Sequence, residues 1–150
     1  MKKYLKFKVE RESYGIDLME IKEVVRYQNL IKVPQMPEFA EGVLEIRGDI
    51  IPVIDLRKRL GLEKGEYNER TTIIICFVKD QEIGYIVDET EGVLIPKEED
   101  KTPSPRFGDI QTDFLKCMIK TKEGVVMIMD LTKLFTNNEL KVLKREEEIK

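Results

Sequence analysis

Apolar and polar residues alternate in short runs along most of the chain. A period of two is typical of strands that bury one face, and Gly, Pro or charged pairs separate the runs as turns would. The predicted strands cover residues 4–9, 13–18, 42–46, 50–54, 71–78, 82–87, 92–95, 114–120 and 125–129. Since few helical stretches remain to connect parallel strands, the pattern predicts a mainly β protein of the barrel or sandwich kind.

Helical signals are confined to three short segments. Asp17 followed by Glu20 has the pattern of a capping box, and we expect the apolar residues around it to form one face of a short helix. These residues are Leu18, Ile21, Val24 and Val25. Asp55 is predicted to cap a second turn, which Gly61 would end in a left-handed conformation. Residues 138–150 are predicted to form a charged C-terminal helix.

The sequence contains an internal repeat. Residues 50–58 match residues 125–133 at a constant offset of 75, and both segments have a strand, an Asp and a helical turn in that order. We therefore expect a single domain over residues 1–150 that consists of two small β-barrel subdomains. Their expected bounds are about 13–70 and about 71–135, with residues 4–12 pairing nearby.

A second and weaker similarity supports the repeat. Residues 13–16 match residues 82–85 at an offset of 69, and at this offset Val24 falls on Val93. Two similarities are harder to explain by chance matches between apolar strands than one.

Composition narrows the classes of partner. Hydrophobic residues make up 41% of the 150 residues and charged residues 37%, which is typical of a globular chain. The 26 basic and 29 acidic residues leave a net charge of -3, and the basic residues form no block that could follow a phosphate backbone. We expect no nucleic-acid partner. Because no apolar run has the length of a signal peptide core or a membrane span, we expect a cytoplasmic protein without membrane insertion.

The residues that most often carry chemistry are scarce. The chain has no histidine, which removes the usual general base near neutral pH and most catalytic zinc ligand sets. Cys76 and Cys117 lie 41 positions apart in apolar runs, so we interpret them as buried, reduced thiols. The glycines match no phosphate-binding pattern. We therefore predict no catalytic residue, no metal site and no cofactor.

Carboxylates leave one alternative open. Asp55 and Asp130 could form a catalytic pair, and with Asp88 and Arg47 they could serve a small-ligand-binding or hydrolytic β-barrel. This alternative predicts a deep pocket in which the acids converge. The matched positions of Asp55 and Asp130 in the repeat favour the simpler interpretation that each caps a helical turn.

Arg47 and Gly48 lie between two predicted strands. The glycine permits a tight turn there, and an Arg held at the edge of a turn presents its guanidinium to carboxylates or carbonyls of a partner. Arg47 is therefore a candidate binding residue.

Several segments in the same order and spacing resemble the CheW family of bacterial chemotaxis coupling proteins. The most specific matching segment is Gly42 to Leu56. The matching segments before it are Tyr14 to Asp17, Ile21 to Val24, Val33-Pro34 and Pro37 to Phe39. Looser matches continue through Gly84 to Asp88, Gly92 to Leu94 and Val126 to Asp130. The resemblance covers nearly the whole chain. It implies two five-stranded, SH3-like barrels and a non-catalytic adaptor.

The resemblance also implies two protein partners. One surface is expected to bind the cytoplasmic tip of methyl-accepting chemotaxis receptors, and another the regulatory domain of the histidine kinase CheA. Carried over by position, the receptor-facing residues are Ile21, Glu23, Arg47 and Val93. The kinase-facing residues are Gly42, Gly84 and Thr90.

One position departs from the family pattern. The family commonly has Asn before the Leu-Arg-Gly of the turn, whereas this chain has Glu45 there, an acid that could pair with Arg47. CheV proteins and CheA contain the same module. A chain of 150 residues without a receiver or kinase domain is expected to be the free adaptor, recruited to membrane receptor arrays through its partners.

Overall fold

The computed structural model describes residues 1–106 and 113–143, and strands dominate this part of the chain. The strands are β1 Tyr4–Val9, β2 Glu12–Asp17, β3 Ile21–Arg26, β4 Ala40–Ile46, β5 Asp49–Asp55, β6 Thr72–Val78, β7 Gln81–Val87, β8 Glu89–Leu94, β9 Lys101–Thr102, β10 Leu115–Thr121 and β11 Gly124–Met129. The helices are α1 Leu56–Arg59 and α2 Asn137–Leu143, with 3₁₀ turns at Leu18–Glu20, Glu98–Asp100 and Leu131–Lys133.

The strands form two sheets, which confirms the mainly β fold class with two subdomains. The five-stranded sheet has the order β3-β6-β7-β5-β4, and the six-stranded sheet has the order β8-β1-β2-β11-β10-β9. We call them the five-stranded and the six-stranded subdomain. The latter has one strand more than the family resemblance implied, the two-residue β9.

The two halves of the sequence exchange a hairpin. The β1–β2 hairpin of the first half lies in the six-stranded sheet, and the β6–β7 hairpin of the second half lies in the five-stranded sheet. The predicted division near residue 70 therefore does not follow the sheets. A repeat identifies which strands are equivalent, but tertiary contacts decide which copy of a strand each one pairs with.

The equivalent strands nevertheless make equivalent contacts. β5 runs parallel to β7 with Val53 opposite Gly84, and β11 runs parallel to β2 with Ile128 opposite Gly15. A β-carbon at Gly15 would lie 2.7 Å from the Ile128 side chain, and one at Gly84 would lie 3.1 Å from the Val53 side chain. Both glycines thus admit a branched side chain from the matched strand. The two sequence similarities describe one structural unit built twice.

The predicted helix after Asp17 is wrong beyond its first turn. Asp17 Oδ1 accepts a hydrogen bond from the Met19 amide at 2.9 Å, but residues 21–26 form strand β3 antiparallel to β6. Glu20 pairs with Lys116 at 3.3 Å instead of completing a capping box. β-Branched residues fit a pleated, half-buried surface, and pairing with β6 prevailed over the helical spacing.

The other two Asp caps are confirmed. Asp55 Oδ1 accepts a hydrogen bond from the Arg57 amide at 2.9 Å at the start of α1, and Gly61 beyond it has φ +78°. Asp130 Oδ1 accepts from the Thr132 amide at 3.1 Å. The predicted C-terminal helix begins as α2 and is described to Leu143, and the remainder of that prediction lies outside the described residues.

The largest core cluster draws residues from both sheets and so joins the subdomains. Among its fully buried members are Phe7, Ile16, Ile54, Tyr85 and Met129. Cys76 belongs to this cluster, whereas Cys117 is only half-buried. Burial raises the pKa of both thiols, which keeps them protonated near neutral pH.

Candidate functional site

The five-stranded sheet curls until its two ends meet. Arg47, at the tip of the β4–β5 hairpin, donates from Nη1 to Glu23 Oε1 on β3 at 2.5 Å. Lys22, which precedes Glu23 along the chain, forms ion pairs with Asp49 and Glu82. The structure thus brings together Glu23 and Arg47, two of the four receptor-facing candidates.

The backbone of the hairpin presents Arg47 outward. Arg47 has φ +50° and Gly48 has φ +85°, the pattern of the two-residue hairpin turns that match the twist of antiparallel strands. The predicted turn is confirmed. A non-glycine residue at positive φ is uncommon, and the Arg47 side chain remains 73% exposed. Its partner is Glu23, while Glu45 is exposed on β4 opposite Ile50.

The electrostatics of the Glu23–Arg47 pair leave it open to competition. An exposed ion pair contributes about 0–1 kcal/mol because water and salt screen it. A partner's carboxylate can therefore displace Glu23 from the guanidinium at small cost. Two exposed apolar residues are close to this ion pair in the sequence. Val24 follows Glu23, and Ile50 lies three positions after Arg47.

The remaining receptor-facing candidates lie elsewhere. Ile21 is half-buried at the start of β3 and packs against the shared core cluster. Val93 lies on β8 of the six-stranded subdomain, opposite Leu5, and is 56% exposed. Val93 occupies the position that Val24 holds in the other copy of the repeat. Each subdomain thus exposes an apolar residue on the equivalent strand.

The kinase-facing candidates have a clear packing role. Gly42 and Gly84 are both buried, and a β-carbon at Gly42 would lie 2.5 Å from the Ile31 carbonyl oxygen. Gly42 therefore lets the segment around Ile31 dock against β4, where Ile31 and Val43 exchange backbone hydrogen bonds at 2.9 Å. Thr90 is half-buried on β8, opposite Phe7. Their role toward a kinase stays a prediction.

A groove of about 430 Å³ lies beside β4, and the sequence did not reveal it. Lys32, Lys58 and Lys64 line it around Glu41, whose side chain is only 3% exposed. We call these four residues the basic groove. Their positions are scattered over a loop, β4, α1 and the following segment, so no spacing marks them. The one sequence signal for the groove was Glu41, an acid directly before the apolar run at residues 42–46.

The acids of the alternative ligand-binding hypothesis do not converge. Asp55 accepts from the Tyr67 hydroxyl at 2.6 Å, Asp88 accepts from Nε and Nη2 of Arg57 at 2.9 and 2.6 Å, and Asp130 accepts from Thr132 within its own turn. None of the three lines the groove. Residues 1–106 and 113–143 hold no metal-binding cluster of His, Cys, Asp and Glu. The helices of this described part lack the length and apolar character that a membrane crossing requires.

Comparisons with known proteins agree with the fold. A family model described as a CheW-like domain matches residues 3–139. The chemotaxis protein CheW of Klebsiella aerogenes is 30% identical over 138 residues, covering 91% of this chain and 83% of its own length. The Bacillus subtilis CheW is 33% identical over 129 residues, covering 85% and 83%. The crystal structure of the scaffolding protein TtCheW from Thermoanaerobacter tengcongensis superposes with a TM-score of 0.83 at 38% identity, covering 92% and 94%.

Proposed function

Because the chain belongs to the CheW-like domain family, we propose that it couples methyl-accepting chemotaxis receptors to the histidine kinase CheA. The family makes it a non-catalytic chemotaxis adaptor. The proposal adds the two partners and the surfaces that meet them. It also places the adaptor in the cytoplasm, at receptor arrays that its partners anchor.

The Glu23–Arg47 pair is the observation that carries the receptor side of the proposal. Its guanidinium is exposed on a tight turn, so a receptor carboxylate or carbonyl can reach it without rearrangement of the backbone. Arg forks of this kind supply orientation, while apolar anchors supply most of the contact energy. Ile21 and the exposed Val93 would provide such anchors, one from each subdomain.

On the kinase side we propose contacts that depend on Gly42, Gly84 and Thr90. The two glycines are buried, so they would act through the strands and loops they position. Gly42 admits the loop that carries the exposed Ile31, a source of apolar contact for the CheA regulatory domain. Thr90 would act from β8 in the other subdomain.

The test of this proposal is the Arg47→Glu variant with Arg26→Glu as its control, since Arg26 is also exposed but lies at the far end of β3. We expect Arg47→Glu to weaken binding of a receptor cytoplasmic fragment by about ten-fold or more, the range of a lost charge-assisted contact. Binding of the CheA regulatory domain and the melting temperature should not change. Equal receptor affinity in both variants would refute the receptor surface.

A further inference from the structure

The basic groove has a geometry that the coupling function does not use. Lys58 and Lys64 place their ammonium groups 2.8 Å from the two carboxylate oxygens of Glu41, and Lys32 lies 3.7 Å away. Lys32 also donates to the Glu41 carbonyl oxygen at 2.8 Å. Three flexible cations are thereby gathered around one buried carboxylate at the wall of an open groove.

Glu41 remains charged, and it therefore balances the charge of one of the three lysines. Burial alone would raise its pKa, but the hydrogen bonds and charges of Lys58 and Lys64 lower it below its usual range. Glu38 lines the groove as well, and Lys58 donates to its carbonyl oxygen at 3.4 Å. The lining side chains therefore carry three positive and two negative charges. The excess is one positive charge.

The lysines keep donors for a ligand. Each ammonium has three N–H groups, and the two oxygens of Glu41 cannot accept them all. Lys32 and Lys64 remain 70% and 43% exposed, so their free donors face the solvent. Because Glu41 already restricts these long side chains, a bound anion would cost less conformational entropy than it would at freely moving lysines.

Apart from the polar Gln35, the rest of the lining is apolar and held in place. It comprises Val33, Met36, Pro37 and Ala40. This stretch lies just beyond Ile31, whose paired backbone hydrogen bonds to Val43 fix the loop on β4. An inorganic anion would leave the apolar side unused, and a nucleic acid would need a longer basic stripe than three lysines in a chain of net charge -3.

We propose that the basic groove binds an acidic segment of a protein partner. A carboxylate of the segment bridges Lys32, Lys58 and Lys64, and a neighbouring apolar side chain packs against Val33. This is a binding site separate from the Glu23–Arg47 pair, and it goes beyond the proposed coupling function. Charge complementarity and the mixed lining together select this class of ligand.

The test measures binding of a fluorescent peptide, acetyl-Leu-Asp-Glu-Leu-amide, to the full chain by anisotropy. Its matched control is the uncharged peptide acetyl-Leu-Asn-Gln-Leu-amide. We expect the acidic peptide to bind about ten-fold or more tightly than the control, because hydrogen bonds between ionised groups are about twice as strong as neutral ones. Equal binding of the two peptides would overturn the proposal.

Two lysine variants locate the site. Lys32→Glu should lower the affinity for the acidic peptide by about ten-fold. Lys120 is an exposed lysine on β10, and Lys120→Glu should change this affinity by less than about two-fold because the charge is remote from the groove and screened. Melting curves verify that both variants fold. Equal losses in the two variants would reduce the effect to net charge and overturn the proposal.

The competing occupants are outcomes of the same assay. Displacement of the peptide by inorganic phosphate, at an ionic strength where chloride does not displace it, would assign the groove to small anions and overturn the proposal. Self-association of the chain that displaces the peptide would assign the groove to a second copy of the chain, and this result would also overturn the proposal. Arg47→Glu should leave peptide affinity unchanged, so failure of the receptor proposal is distinguishable from failure of this one.

Discussion

The two subdomains contain the same unit and use it differently. In both, a parallel pair of strands admits a branched side chain over a glycine, and in both the hairpin strand carries a register shift at the matched position, between Ala40 and Gly42 or between Leu115 and Cys117. The difference lies in the polar side chains. Lys116 stands where the five-stranded subdomain has Glu41. The repeated backbone can thus be kept while each copy acquires its own surface chemistry.

The capping acids show this contrast most clearly. Asp55 is 1% exposed and accepts hydrogen bonds from both the Arg57 amide and the Tyr67 hydroxyl, whose pKa is raised by burial and by this carboxylate. Asp130 is half-buried, and within residues 1–106 and 113–143 its side chain accepts hydrogen bonds only from Thr132 in its own turn. Equivalent positions therefore differ in how much of the surrounding structure depends on them.

The largest expected effect comes from removing these acids. Asp55→Ala should lower the free energy of unfolding by about 3 kcal/mol, because it removes a cap and leaves the Tyr67 hydroxyl without its acceptor. Asp130→Ala should cost about 1 kcal/mol, the loss of a cap alone. Urea unfolding of both variants measures the difference. Equal losses would mean that the two copies are equivalent in energy as well as in fold.

The second effect concerns Gly42 and Cys117, the matched residues at the register shifts of the two hairpins. Gly42→Ala should lower the free energy of unfolding by about 2 kcal/mol, since Gly42 has φ +150° and the new β-carbon would collide with the Ile31 carbonyl. Cys117→Ala at the matched position should cost about 0.5 kcal/mol, the loss of one half-buried sulfur. Thermal unfolding checks both. An unchanged free energy of unfolding in Gly42→Ala would contradict the role of Gly42 in letting the loop around Ile31 pack against β4.

The third effect depends on pH. Because the pKa of Glu41 is lowered by folding, its ionised form contributes stability above its unfolded pKa of about 4.3, and this contribution is lost as the pH falls through the folded pKa. Glu41→Gln should cost about 1–2 kcal/mol at pH 7, between exposed and buried pairs, and less at lower pH. Lys116→Gln should show a smaller loss. A loss in Glu41→Gln that does not shrink in acid would exclude the ion pairs as its cause.

The smallest effect on stability is expected at the exposed pair. Exchanging the charges in a Glu23→Arg/Arg47→Glu double variant should change the free energy of unfolding by less than about 0.5 kcal/mol, because the pair is re-formed and solvent-screened. Receptor binding should stay lost, since the guanidinium now stands on β3. Recovery of receptor binding would mean that the pair only stabilises the hairpin.

Much of this fold was predictable from local patterns. Alternation located the strands, and the matched Asp residues identified the caps at Asp55 and Asp130. The strand at residues 21–26 was missed because its apolar spacing also fits a helix, and only pairing with β6 decides between them. The exchange of hairpins was missed for a related reason, since pairing partners are not encoded in the strands that repeat.

The site was predictable only in part. A turn with an outward Arg47 follows from Gly48 between two strands, but its ion pair with Glu23 requires the sheet to curl, which alternation does not encode. The basic groove requires four separate segments to meet around Glu41. Such long-range convergence leaves no spacing in the sequence.

The most direct test of the coupling role mixes the chain with a receptor cytoplasmic fragment and the CheA regulatory domain and separates the complexes by size-exclusion chromatography. We predict a single peak that contains all three proteins, and with Arg47→Glu a peak that retains the CheA domain but loses the receptor fragment. A wild-type chain that binds neither partner, or an Arg47→Glu complex that keeps the receptor, would contradict the account.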